Sequence, residues 1–94
     1  MSQNTNKAII TVVGKDRKGI ISGVSTLLAA NEINILDISQ TIVEDFFSMI
    51  MIVDMTDCTT SLGDIAAMLD ELGKTIGMQI TCQHEDIFQY MHRI

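Results

Sequence analysis

Apolar and polar positions along this 94-residue chain fall into short blocks of alternating period. Residues 7–13 are rich in Ile, Val and Thr, a strand composition, and the run stops at Gly14. Residues 19–31 place Ile20, Val24, Leu27 and Leu28 on one face of a helix, with Gly23 allowing close packing on a sheet and Asn31 as the stop. Residues 34–43 alternate, with Leu36, Ile38, Gln40 and Ile42 facing one way and Asp37, Ser39 and Thr41 the other. Glu44-Asp45 is a short polar connection into residues 46–55, which are apolar on both faces and read as a central strand joined to its predecessor in a hairpin. Ser61 followed by Asp64 resembles a helix N-cap, and Leu62, Ile65, Leu69, Leu72 and Ile76 then recur at helical steps up to Gly77. Residues 78–83 alternate again as a last strand. Residues 85–93 carry Ile87, Phe88 and Met91 at helical spacing.

The order β-α-β-β-α-β with right-handed crossovers predicts an α+β fold: a ferredoxin-like sandwich of a four-stranded antiparallel sheet with two helices on one face, plus a C-terminal helical segment. Its central strands are the first and third, which are the two most apolar runs. Residues 1–6 are expected to be a flexible tail, 7–83 the domain and 84–94 a helical extension. Two helices cover only one sheet face, yet Phe47, Met49, Met51 and Val53 alternate with the equally apolar Phe46, Ile50 and Ile52. The second face therefore needs a cover. The candidates are a partner subunit and the segment around Ile87, Phe88, Gln89, Tyr90 and Met91, and the segment is expected to be used, across or beside a homodimer interface.

Charge and composition narrow the function. A net charge of −6 disfavours nucleic acid, whose binding draws on cationic phosphate contacts. The longest apolar run is strand-sized and does not approach a membrane span. The two cysteines, Cys58 and Cys82, form neither a disulfide framework nor a metal signature. The polar start at Met1–Asn6 is unlike a secretory leader. A cytoplasmic protein with no membrane partner is expected.

The most informative stretch is Gly14-Lys15-Asp16-Arg17-Lys18-Gly19-Ile20-Ile21, where three of the six cations sit. A strand, a charged turn and a helix start follow one another. The first N–H groups of a helix favour an anionic group such as a carboxylate.

That stretch, followed by Leu27-Leu28-Ala29-Ala30-Asn31-Glu32-Ile33-Asn34-Ile35, resembles the ACT domain, over roughly residues 7–83. The continuation Ile38-Ser39-Gln40-Thr41 is similar to a subgroup of small free-standing bacterial ACT proteins, akin to the ACT modules of glycine-cleavage regulators and formyltetrahydrofolate deformylases. The resemblance implies a ferredoxin-like module that binds amino acids or related ligands at a subunit interface and regulates a metabolic enzyme or regulator. It implies ligand contacts from the turn after the first strand and from the Asn opening the second, which fall on Asp16 and Asn34, with Gly19 permitting close backbone approach. Lys18 stands where the family usually has proline, and Gly14 offers only backbone. The expected ligand-binding residues are thus Gly14, Asp16, Arg17, Gly19, Ile20 and Asn34. No catalytic residue, cofactor or metal ligand is expected.

A non-catalytic ligand-binding homodimer is the leading reading. A protein-interaction module without a metabolite is the alternative. An acylphosphatase-like hydrolase would use Arg17 and Asn34 but lacks that family's loop. A metal chaperone would need a Cys-x-x-Cys in the first loop, and an RNA-binding sheet would need basic charge.

Overall fold

The computed structural model describes residues 6–85. Its order is β1 (Lys7–Lys15), α1 (Ile20–Ala30), β2 (Asn34–Val43), β3 (Phe46–Asp54), α2 (Leu62–Ile76) and β4 (Met78–His84). The strands form one sheet in the order β2-β3-β1-β4, with every neighbouring pair antiparallel. The ferredoxin-like fold and the two central strands are those expected. The helical segment expected over residues 85–93 lies outside the described residues from residue 86 onward, as do residues 1–5 of the expected tail.

Both helices start and stop where their sequences provide for it. Ser61 accepts the Asp64 amide at 3.1 Å to open α2, and Gly77 closes it at φ 73, a left-handed conformation that suits glycine. Gly19 precedes α1 at φ 88 without a side-chain cap. Asn31 closes α1: its Nδ2 donates to the Leu27 carbonyl at 2.8 Å and its backbone N–H to Leu28 at 3.1 Å.

The core lies between the helices and one sheet face. Ile10, Val12, Met49, Met51 and Val53 from β1 and β3 meet Val24 and Leu28 of α1 and Ile65 and Leu69 of α2, all fully buried. Each such side chain contributes about 1.5–3 kcal/mol of transfer free energy. Close approach of α2 to the sheet depends on Gly73, where a Cβ would sit 2.5 Å from the Met78 carbonyl oxygen. Gly23, expected to pack on the sheet, instead faces α2, with the Leu72 methyls 3.7 and 3.9 Å from where its Cβ would be.

Three other details differ from the sequence reading. Gly14 does not end β1: it is a paired strand residue between Phe47 and Met78, where a Cβ would fall 2.8 Å from Met78 Sδ and 3.0 Å from the Gly77 carbonyl. β4 runs through His84. In β2 the register shifts between Ile35 and Asp37, so Leu36 is the extra residue of a bulge rather than a partner of Ile38, Gln40 and Ile42, which stand opposite Met51, Met49 and Phe47.

Candidate ligand-binding site

The turn after β1 is fixed by backbone rather than by proline. The Asp16 amide donates to the Asp45 carbonyl at 2.7 Å, tying the Lys15–Gly19 turn to the connection between β2 and β3. This tie leaves the Asp16 side chain exposed. Asp16, Gly19 and Ile20 then line a cleft of about 300 Å³ with Arg17, Ile21, Ser22, Gln40, Ile42 and Phe47. Its floor is apolar, from Ile20, Ile42 and Phe47. One wall is the start of α1, whose first intrahelical bond is Gly23 N–H to Gly19 O at 2.9 Å. The amides before it are those that a helix start leaves without an intrahelical acceptor. With a carboxylate on one side and a helix N-terminus on the other, the cleft can hold a small zwitterion over an apolar floor.

The expected residues divide between places. Asp16, Gly19 and Ile20 come together in the cleft. Arg17 also borders it, but its guanidinium donates to the Ile76 carbonyl at 3.0 Å and so closes the end of α2, where a cation opposes the negative pole of the helix. Gly14 lies inside β1 and makes room for Met78.

Asn34 is elsewhere. It pairs with Asp54, which pairs with Lys7, so it sits at the opposite end of the sheet from Lys15. The eight residue steps of β1 between those rows span about 27 Å. Around Asn34 a second cleft of about 360 Å³ is lined by Ala29, Glu32, Ile33, Asp54 and Asp57. Asp54 there is held below the usual carboxylate range by the Thr56 hydroxyl at 2.5 Å and then by the Thr56 amide at 2.9 Å. Within one chain, therefore, Asp16 and Asn34 cannot touch one ligand. The same separation removes the Arg17–Asn34 pair that a hydrolase would need.

Sequence reasoning missed Gln40, Ile42 and Phe47 as cleft residues. The signal was available: two strands that both run antiparallel to β3 are parallel to each other, so the end of β1 lies beside the end of β2, not its start.

The thiols are quiet. Burial pushes Cys82 up to about 11 from an ordinary 9.0, so it stays protonated at neutral pH. Cys58 donates to the Thr60 carbonyl at 3.4 Å. Among the described residues no group of three His, Cys, Asp or Glu is arranged to hold a metal, and no helix is long and apolar enough to cross a membrane.

Comparison with known proteins places this geometry in context. A family model described as the ACT domain matches residues 6–83. A UPF0237 protein of Bifidobacterium longum is 52% identical over 95% of this chain and 99% of its own. Among solved structures, an ACT domain protein from Streptococcus pneumoniae is 40% identical, with a TM-score of 0.79 over 92% of this chain and 97% of that one. A formyltetrahydrofolate deformylase from Pseudomonas syringae shares the fold at 18% identity and a TM-score of 0.79, over 87% of this chain and 28% of that one.

Proposed function

The chain belongs to the ACT domain family, and from that premise we propose that it is a non-catalytic regulatory module binding an amino-acid-like ligand between the two copies of a homodimer. The observation that carries this reading is the position of β2. It is an edge strand, and among the described residues four of the eight large exposed apolar side chains, Leu36, Ile38, Ile42 and Val43, lie on it, with Ile21 of α1 also exposed. An exposed, apolar strand edge is a template for pairing with another strand.

Pairing β2 with itself about a two-fold axis is necessarily antiparallel. It sets the start of one β2 level with the end of the other. The partner subunit's Asn34 then comes alongside Val43 and Ile42, on the edge of the cleft that Asp16 and the α1 N-terminus border. A site split about 27 Å within one chain is closed across two. In this arrangement Asp16 takes the ligand ammonium, the α1 amides its carboxylate, and the partner's Asn34 supplies the remaining hydrogen bonds. Arg17 has the structural task of closing α2.

Titration calorimetry with each standard amino acid tests this directly. The expected result is saturable heat for at least one of them in the wild type and its loss in Asp16→Ala. Absence of heat from all of them contradicts the reading. A second reading, a protein-interaction module, is favoured by Val43 and Phe46, which are exposed together at the hairpin tip beside Lys15. It predicts that the tip variant Phe46→Ser abolishes capture of a protein partner while amino acids bind nothing.

A further inference from the structure

The helix-side face of β2 carries Ile38, Gln40 and Ile42, which stand opposite Met51, Met49 and Phe47 of β3. Those three partners are buried in the core. An amide thus interrupts an aliphatic row beside an apolar strand. Exposure alone does not account for it, because Ile38 and Ile42 on either side are 40% and 50% exposed and are still aliphatic.

Gln40 also lines the cleft at the start of α1, with three other polar side chains, Asp16, Arg17 and Ser22. Two of the four are engaged inside the protein. The Arg17 guanidinium donates to the Ile76 carbonyl at 3.0 Å, and the Ser22 hydroxyl donates to the Gly19 carbonyl at 3.4 Å. The Asp16 carboxylate and the Gln40 amide have no hydrogen-bond partner among the described residues. They stand at different levels of the cleft. Asp16 is at the turn, where its backbone is tied to Asp45 just beyond the end of β2. Gln40 is two residues back from Ile42, about 7 Å along the strand.

We propose that Gln40 is the specificity-determining residue of this cleft and selects amino acids with a short uncharged polar side chain, a hydroxyl or a carboxamide. The inference rests on the amino-acid reading above and adds the side-chain class to it. With the ligand ammonium at Asp16 and its carboxylate at the α1 amides, the ligand side chain runs over Ile42 and Phe47 toward Gln40. A carboxamide both donates and accepts, so Gln40 pairs with a hydroxyl or with a second carboxamide. An aliphatic side chain displaces water from the amide without replacing its hydrogen bonds, which weakens binding. A charged side chain meets no free opposite charge, because Asp16 holds the ammonium and Arg17 is engaged at the end of α2.

Two near-isosteric pairs read this selection in calorimetry: threonine against valine, and asparagine against leucine. In the wild type the polar member of at least one pair is expected to bind about tenfold tighter than its apolar counterpart, the worth of one hydrogen bond. Gln40→Leu is expected to weaken the polar member about tenfold, while the apolar member binds as well as before or better. A merely structural role for Gln40 weakens both members alike, and that result overturns the proposal. So does equal binding of both members by the wild type, or a preference that Gln40→Leu leaves untouched. Failure of the underlying reading looks different. If no standard amino acid binds, that reading and this proposal fall together; if amino acids bind without these differences, only the proposal falls.

Discussion

The two ends of the sheet differ in how they are built. At the turn end, β1 and β2 finish and β3 begins, next to the start of α1 and the close of α2. There the Asp16–Asp45 bond, the Arg17–Ile76 bond and the close approaches at Gly14 and Gly73 lock the backbone around an apolar-floored cleft. At the other end Asn34, Asp54 and Lys7 share a row, and the cleft beside it carries Glu32, Asp54 and Asp57 with few apolar walls. One end sets a carboxylate and a helix start beside an apolar floor. The other can lend a polar side chain but repels an anion. The contrast explains why a site needing both Asp16 and Asn34 calls for two chains.

Breaking the turn end should cost most. A methyl at Gly73 meets backbone, which cannot yield as a side chain would, so Gly73→Ala is expected to lose about 3 kcal/mol in urea unfolding. Gly63→Ala, with only Ser61 Oγ near at 4.0 Å, is the matched control and is expected to gain slightly from helix propensity. Joining the two ends through β2 is tested next. Ile38→Lys places a charge on the pairing edge and is expected to weaken dimerisation about a hundredfold in sedimentation measurements, with ligand binding lost alongside.

Within the turn itself, two neighbours should respond in opposite ways. Arg17→Ala leaves the Ile76 carbonyl without its donor and is expected to lower stability by about 1 kcal/mol in chemical denaturation. Asp16→Ala keeps the Asp16 amide and its bond to Asp45, so stability holds while calorimetric binding disappears. Smallest of all, Glu44 in the β2–β3 turn holds φ at 59, which disfavours any residue with a Cβ. Glu44→Gly, where relief of the left-handed backbone is partly offset by glycine's greater chain entropy, is expected to raise stability by about 0.5 kcal/mol and to leave binding unchanged.

Much of this was legible from residue pattern. The Ser61–Asp64 cap, Gly77 and Asn31 are local signals and fixed both helices, because caps act on backbone groups within a turn. The apolar runs at Ile9–Val13 and Phe47–Val53 marked the central strands, although burial in β3 alternates and only the face toward the helices is fully covered. What escaped was non-local. Gly14 looked like a stop because a glycine at a strand's end and one making room for Met78 are identical in sequence. The bulge at Leu36 leaves strict alternation intact on paper while shifting the partner strand. The grouping of Asp16 with Asn34 joined two residues by resemblance, whereas strand direction separates them within one chain, and the proposed pairing of two β2 strands would bring them together.

The most direct test mixes two defective proteins. Asp16→Ala and Asn34→Ala are each expected to bind no amino acid in calorimetry. If the site spans two protomers, a mixed dimer holds one site with both defects and one with neither. After subunit exchange at equal amounts, the mixture is expected to regain about a quarter of the wild-type sites at wild-type affinity. If both residues served one ligand within a single chain, every site in the mixture would still carry a defect, and a titration with no recovered heat would contradict the account.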